Sequence, residues 1–425
     1  MNKIKKILVM MLALAFFVGI LPSCGGGNNM SDSKTSVSLG ENDSESVKND
    51  VNKTLPNYIE PSEAKYSFGE NETVTPFYAG NIIYNESVLL VMGDDGVAKG
   101  NLQFKPIKIL SVRDFTLKKE YVLSDFEIEE NVIKAKSPEK TTYLTEKNLS
   151  GIEMPEGFKL KSSISDILTD CVLMAGAIYS ESPFYYGKQI YVSYVYDANE
   201  LDFDLYANYK TSGLPKTKAR LAFGDDVKIC ATGDSVMEGC SSSKKFKREP
   251  FMDNFITLTV NALKAEYKGN ITLSNQAVGG KTSGWGAEDA QTVRLANEKP
   301  DLLYVHFGIN DLGAHVSKSS YYDNIKKIVD DVQAVNPECE VVLIKAFNAN
   351  PDIYPQDGFE KYWKQLDLIA SEYENVYTLD MFSQSLALIG AKGYYSVTGN
   401  GINHVNDFSA RLYAMNMIAQ LVKIK

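Results

Sequence analysis

Ser235 closes the tripeptide Gly233-Asp234-Ser235, which is separated by one residue from the end of the apolar run Val227–Ala231. A serine on a glycine-led turn just past the C-terminal end of a strand stands where an α/β enzyme can present a nucleophile. Its hydroxyl is inert at neutral pH without a neighbouring base, so the histidines matter next. The chain has three: His306, His315 and His404. His306 lies inside a strand-like run, where a packed or hydrogen-bonded imidazole is expected. His315 falls in the loop after Asn310 and is a candidate substrate contact. His404, in Asn403-His404-Val405-Asn406, precedes the closing helical stretch and is the candidate base.

Acyl transfer also needs donors aimed at the developing oxyanion. Three are on offer. The backbone N–H of Ser235 is the first. The N–H of Gly280, in Asn275-Gln276-Ala277-Val278-Gly279-Gly280, is the second, where a glycine lets the main chain approach a substrate closely. The side-chain amide of Asn310, in Gly308-Ile309-Asn310-Asp311, is the third. Taken singly, Gly279-Gly280 is a tight turn and Asn310 a loop cap; their order at successive strand ends makes them a set. Asp234 and Asp311 are expected to brace their turns through side-chain to backbone bonds. Trp285 suits an acyl group, a sugar ring or the core.

In this order the four segments resemble the blocks of the SGNH (GDSL) hydrolases, which are serine esterases and acyl hydrolases. The resemblance covers roughly the last half of the chain. It implies Ser235 as nucleophile, His404 as base and an oxyanion hole of Ser235, Gly280 and Asn310. The fourth block departs from the pattern. In many SGNH enzymes an aspartate lies three residues before the histidine and orients it; here that position is Gly401, preceded by Asn400. Three readings compete. Asp407 supplies the carboxylate, although it also suits a helix N-cap; a backbone carbonyl or the Asn400 amide holds the ring, leaving a Ser-His dyad; or the site is inactive. The dyad is the preferred expectation.

The elements that must position these residues follow from pattern. Strand-like runs at Val227–Ala231, Ile271–Asn275, Asp301–Phe307, Glu340–Ala346 and Val376–Leu379 alternate with helical stretches at Phe251–Tyr267, Tyr321–Val335 and Phe359–Tyr373. The last stretch, Phe408–Val422, has apolar residues at helical spacing. Such repetition predicts a parallel sheet with helices on both faces, its site at the C-terminal strand ends. The expected fold is α/β: a flavodoxin-like three-layer SGNH domain, preceded by an antiparallel β-sandwich. The sandwich rests on period-2 alternation in Asp125–Glu129 and Leu201–Leu205, on the Tyr/Val/Ile-rich Gln189–Tyr196, and on turns at Gly93–Gly96 and Glu129–Asn131. Ser163–Gly176 reads as helix-like. A jelly-roll-like module ahead of the hydrolase would resemble the layout of family 2 carbohydrate esterases.

At the N-terminus, Lys3, Lys5 and Lys6 precede an apolar stretch, Ile7–Leu21, too short to span a bilayer. Leu21-Pro22-Ser23-Cys24 resembles the lipobox of bacterial lipoproteins, with Cys24 as the lipidated residue. The expected division is 1–23 signal peptide, 24–61 flexible tether, 62–213 β-sandwich and 214–425 hydrolase. The protein is then exported and anchored in a bacterial cell membrane or outer membrane. The other cysteines show no metal or disulfide spacing; Cys171 and Cys230 read as buried thiols and Cys240 as a small filler near Ser235. A net charge of −10 disfavours nucleic acid. No metal or cofactor is expected. The implied partner is an acyl-ester substrate, O-acetyl on a polysaccharide being favoured. The competing expectations are a catalytically weak glycan-binding lipoprotein and an acyltransferase to sugar.

Overall fold

The computed structural model describes residues 51–206 and 213–422. The expected signal segment, Cys24 and the first part of the expected tether lie outside the described residues. From Val51 onward the chain is tied down. Val51 N–H donates to Asn199 Oδ1 at 3.1 Å, Asn57 N–H to Ala79 O at 2.9 Å and Ile59 N–H to Asn81 Oδ1 at 3.0 Å. Residues 51–61 therefore belong to the folded body, not to a tether: asparagine amides satisfy their backbone as a sheet would.

The C-terminal half is built on a parallel five-stranded sheet. Its order is Ile271–Asn275, Val227–Gly233, Leu302–His306, Glu340–Lys345 and Val376–Asp380. Numbered along the chain this is 2-1-3-4-5, the flavodoxin-like order. Every residue of Leu302–His306 is buried, and so is Glu340–Ile344, as expected of strands covered on both faces. The order reverses beside the first strand. Ser235 follows that strand, and Gly308 and Asn310 follow its neighbour.

Two groups of helices flank the sheet. Lys318–Val335 packs on Asp289–Asn297 and Gln356–Glu372, whereas Phe255–Glu266 packs on the closing helix Asp407–Leu421. The closing helix is buried at all of its residues. Such a helix must be covered all round. Its outer side is covered by the N-terminal region, through the strand Ile82–Leu89 and the short helix Glu70–Val74.

That region contains antiparallel sheets. Ile82–Leu89, Gln189–Tyr196 and Pro106–Arg113 form one of them. Phe126–Glu129, Val132–Ala135, Ala98–Asn101, Val91–Met92 and Leu144–Thr145 form a second, and Ala177–Tyr179, Asp170–Met174 and Lys159–Lys161 a third. The last two each include one short parallel pairing. Two local expectations fail. Leu201–Leu205 is a turn, because the Asp202 carboxylate accepts from the N–H groups of Asp204 and Leu205 at 3.1 and 3.3 Å. Ser163–Gly176 is no helix: Asp170 gathers the N–H groups of Ser165 and Asp166, and the chain runs on as the strand Asp170–Met174.

The two halves share one hydrophobic core that runs from Phe77 to Leu421, so residues 62–213 and 214–425 are not separately cored. Polar bonds cross the same boundary. The buried guanidinium of Arg411 donates to the carbonyls of Thr73, Tyr84 and Glu72 at 2.9, 2.8 and 3.1 Å. Lys392 Nζ lies 2.6 Å from Glu86 Oε1, both side chains fully buried.

Candidate active site

The turn that carries Ser235 begins where strand Val227–Gly233 ends. Gly233 has no room for a side chain: a Cβ there would run into the carbonyl oxygen of His306 and lie 2.9 Å from Met237 Cβ. Asp234 caps the short helix Ser235–Glu238, its Oδ1 accepting from Val236 N–H at 3.0 Å. Ser235 is thus a first-turn residue whose N–H has no intrahelical partner. Beneath it, His306 is fully buried, its Nε2 3.2 Å from Tyr413 Oη and its Nδ1 3.2 Å from Asp234 Oδ1. It braces the turn from below, as a packed imidazole.

Ser235 Oγ is 2.9 Å from His404 Nε2. The loop that carries His404 is fixed by Asn400, whose Oδ1 accepts from the N–H groups of Ile402, Asn403 and His404, each at 3.0 Å. Gly399 N–H and Thr398 Oγ1 both donate to His404 O, at 2.8 and 2.9 Å. The amide of Asn400 does not hold the imidazole ring, as one dyad reading would have it; it organises the loop backbone.

The other face of the ring meets a residue that sequence reasoning missed. His404 Nδ1 lies 2.8 Å from Glu181 Oε1, and Glu181 is 3% exposed. Burial alone would raise its pKa. The facing imidazole and the donors on Asn400 and Ser241 outweigh that and hold the carboxyl well below the usual range. Asn400 Nδ2 reaches Oε1 at 3.1 Å, Tyr179 Oη reaches it at 3.2 Å, and Ser241 Oγ donates to Oε2 at 2.9 Å. With Nδ1 against a carboxylate, the proton of a neutral imidazole sits on Nδ1. Nε2 is left to accept from Ser235.

Asp407 is therefore not the partner of His404, which corrects that expectation. Its Oδ1 accepts from Ser243 N–H at 3.1 Å. Nor is it the helix cap: Asn406 is, accepting from Ser409 N–H at 3.0 Å. Burial pushes the Asp407 carboxyl up to about 6, only partly offset by the bonds from Ser243. A carboxyl whose folded pKa exceeds its unfolded value stabilises the fold below the unfolded value, and that contribution is lost as pH rises through about 6. Asp407→Asn keeps the acceptor and removes the charge. It is expected to raise stability at pH 7.5 by on the order of 1–3 kcal/mol, with the difference vanishing near pH ~4. Guanidinium melts at the two pH values check this; equal midpoints for both proteins at pH 7.5 would contradict it.

The loops of Gly280 and Asn310 follow the two strands that flank Val227–Gly233. Gly280 has φ +75°, a conformation that favours glycine. Its loop is anchored to the helix Ser235–Glu238 by Gly279 N–H donating to Glu238 Oε2 at 2.6 Å, and to the strand Val227–Gly233 by Val278 N–H donating to Gly233 O at 3.0 Å. Asn310 Nδ2 donates to Lys281 O at 2.9 Å, just past Gly280; its second amide hydrogen is left for another acceptor. Asp311 is buried and takes Ser283 N–H at 3.0 Å and Ser283 Oγ at 2.5 Å, bracing the same loop.

Trp285 is half-buried on Ser283–Gly286, with Lys281 Nζ 5.6 Å from its ring centre. His315 is exposed, with φ +55°; neither it nor Trp285 has a hydrogen bond to Ser235 or His404. Cys240 is half-buried, and Cys171, Cys230 and Cys339 are buried; all four are free thiols. Among the described residues no cluster of His, Cys, Asp and Glu could hold a metal.

Residues 231–407 match the model of the GDSL-like Lipase/Acylhydrolase family. The matched segment is less than half of this chain. Solved structures share parts of it. A two-domain esterase active on acetylated mannans, crystallised with mannopentaose, is 20% identical with a TM-score of 0.40. That match covers 50% of this chain and 55% of the other, so the likeness spans only about half of that protein. The acetyl xylan esterase AlAXEase is 17% identical over 46% of this chain and 100% of its own, with a TM-score of 0.39. The acetylxylan esterase Axe2 of Geobacillus stearothermophilus is 18% identical over 47% and 95%, also with a TM-score of 0.39. No curated protein sequence matches this chain. The matched GDSL-like segment contains Ser235, Gly280, Asn310 and His404, but not Glu181.

Proposed function

We propose that this protein is a serine esterase acting on small acyl esters. The observation that carries the reading is the 2.9 Å contact between Ser235 Oγ and His404 Nε2, on a turn at the switch point of a parallel sheet. His404 Nε2 takes the proton of Ser235 Oγ as that oxygen attacks the ester carbonyl carbon. The carbonyl electrons move onto oxygen, where the N–H groups of Ser235 and Gly280 and the amide of Asn310 receive the charge. Collapse breaks the bond to the alcohol oxygen, which leaves with the proton from His404. Water then repeats the sequence on the acyl-serine and releases the carboxylic acid.

For the natural substrate we propose an O-acetyl group on a polysaccharide. The acetylated mannan and xylan acted on by the esterases named above set the substrates to try. From Leu21-Pro22-Ser23-Cys24 after the apolar stretch Ile7–Leu21 we also propose that Cys24 is the lipid-bearing residue of an exported protein.

The test is acetate release from p-nitrophenyl acetate and from acetylated xylan, beside Ser235→Ala. Ser235-dependent release supports the reading. Absence of any Ser235-dependent release, from either ester, favours a binding protein with an inert hydrolase fold. Within the same assay, Asn310→Ala is expected to lower kcat about 10²–10³-fold with KM little changed. An unaltered kcat would remove Asn310 from the oxyanion hole.

A further inference from the structure

We infer that Glu181 is the positioning residue of His404, so that the region before the matched hydrolase segment completes the site. This rests on the esterase reading of Ser235 and His404. The carboxylate comes from the loop Ser180-Glu181-Ser182, directly after the strand Ala177–Tyr179.

Three observations converge. The first is the contact itself: Glu181 Oε1 faces His404 Nδ1 at 2.8 Å while Ser235 Oγ faces Nε2 at 2.9 Å. Serine, imidazole and carboxylate form one line through the ring. A carboxylate in that place fixes the tautomer and steadies the imidazolium that forms when the serine proton arrives.

The second is how heavily Glu181 is held. A buried carboxylate is costly unless every oxygen is satisfied. Here Oε1 meets His404, Asn400 and Tyr179, and Oε2 meets Ser241. The backbone is held as firmly. Arg248, from the hydrolase half, donates through Nη1 to Glu181 O and through Nη2 to Ile167 O at 3.2 Å. Ser180 N–H donates to Asn400 O at 3.1 Å, so the glutamate loop and the histidine loop are bonded directly.

The third is the space around Gly401. This glycine has φ +84°, and a Cβ there would strike the Tyr185 ring and the carbonyl oxygen of Ile178. Tyr185 Oη in turn donates to Ile178 O at 2.8 Å. The segment 178–185 thus occupies the room in which a side chain at position 401 would have to lie. That position, three residues before His404, cannot carry an acid in this fold. The same segment delivers Glu181 instead.

The experiment uses the full chain with Glu181→Ala, Glu181→Gln and Glu181→Asp, beside Ser235→Ala, on p-nitrophenyl acetate. Glu181→Ala and Glu181→Gln are expected to lower kcat about 10²–10⁴-fold with KM within about threefold, since the lost interaction matures only in the transition state. Glu181→Asp, which keeps the charge but shortens the reach, is expected to recover about tenfold or more of that loss. Thermal unfolding of each variant separates misfolding from misorientation; Glu181→Gln is near-isosteric and is the variant to read if Glu181→Ala unfolds. The inference is overturned if Glu181→Gln keeps kcat within about threefold while Ser235→Ala abolishes turnover. It is also overturned if Glu181→Asp and Glu181→Gln lose the same activity. If Ser235→Ala itself leaves turnover unchanged, it is the esterase reading that fails.

Discussion

His404→Ala is expected to lower kcat on p-nitrophenyl acetate by about 10⁴-fold or more, with KM changed only a few-fold. The imidazole is the only group in hydrogen-bond contact with Ser235 Oγ among the described residues. Without it the hydroxyl has nothing to receive its proton. Neither remaining histidine can substitute: His306 is buried against Tyr413 and Asp234, and His315 lies exposed in a different loop. Because p-nitrophenolate departs without needing a proton, this substrate isolates the base role from the acid role. A loss confined to KM would mean that His404 binds the ester and does not activate Ser235.

Lys392→Ala carries the largest expected cost in stability. Lys392 Nζ lies 2.6 Å from Glu86 Oε1 and donates to Ser87 O at 2.5 Å, with both charged side chains fully buried. Among the described residues Glu86 is otherwise bonded by Tyr194 Oη at 2.6 Å and Gln103 N–H at 2.9 Å. Burial lowers the lysine pKa and the glutamate opposes that. Truncating the lysine strands a buried carboxylate, which costs about 3–5 kcal/mol. The pair joins the helix Met381–Lys392 to the N-terminal strand Ile82–Leu89, so its loss should loosen the two halves together. Lys140→Ala is the control. Its partner Asp125 lies at 2.9 Å, but the lysine is 57% exposed, and a surface pair of this kind is worth about 1 kcal/mol at most. Equal guanidinium midpoints for the two variants would contradict this account.

The sheet and its site were legible for a physical reason. Strands covered on both faces must be apolar along most of their length, so the runs at 227, 301 and 340 stand out, whereas the edge strands at 271 and 376 are part-exposed and show through their alternation with helical stretches. The residues that follow them then mark the candidate site by topology. The N-terminal region was less legible because its strands are short and its turns are made by side chains. Asp202 converts an alternating segment into a turn, and Asp170 does the same to a helix-like one. The closing stretch has apolar residues at helical spacing, yet its helix is buried on every side, because the cover over its outer face comes from residues far upstream.

Glu181 escaped for the same reason: nothing local connects it to His404. One signal was present. Between Cys171 and Tyr186 it is the sole charged residue, in a run of apolar and aromatic side chains. An isolated carboxylate in a segment that must be buried needs a partner elsewhere. Asp407 is the carboxylate nearest to His404 in sequence. That residue sits on the right loop, but it faces Ser243.

The most direct test of the central claim is covalent capture of the nucleophile. The purified chain is incubated with a small alkyl fluorophosphonate, digested and mapped by mass spectrometry, alongside His404→Ala. The account predicts one phosphonyl adduct per chain, on Ser235, formed at least about 10³-fold more slowly in the variant. An adduct on any other residue, or labelling of Ser235 at the same rate without His404, would contradict it.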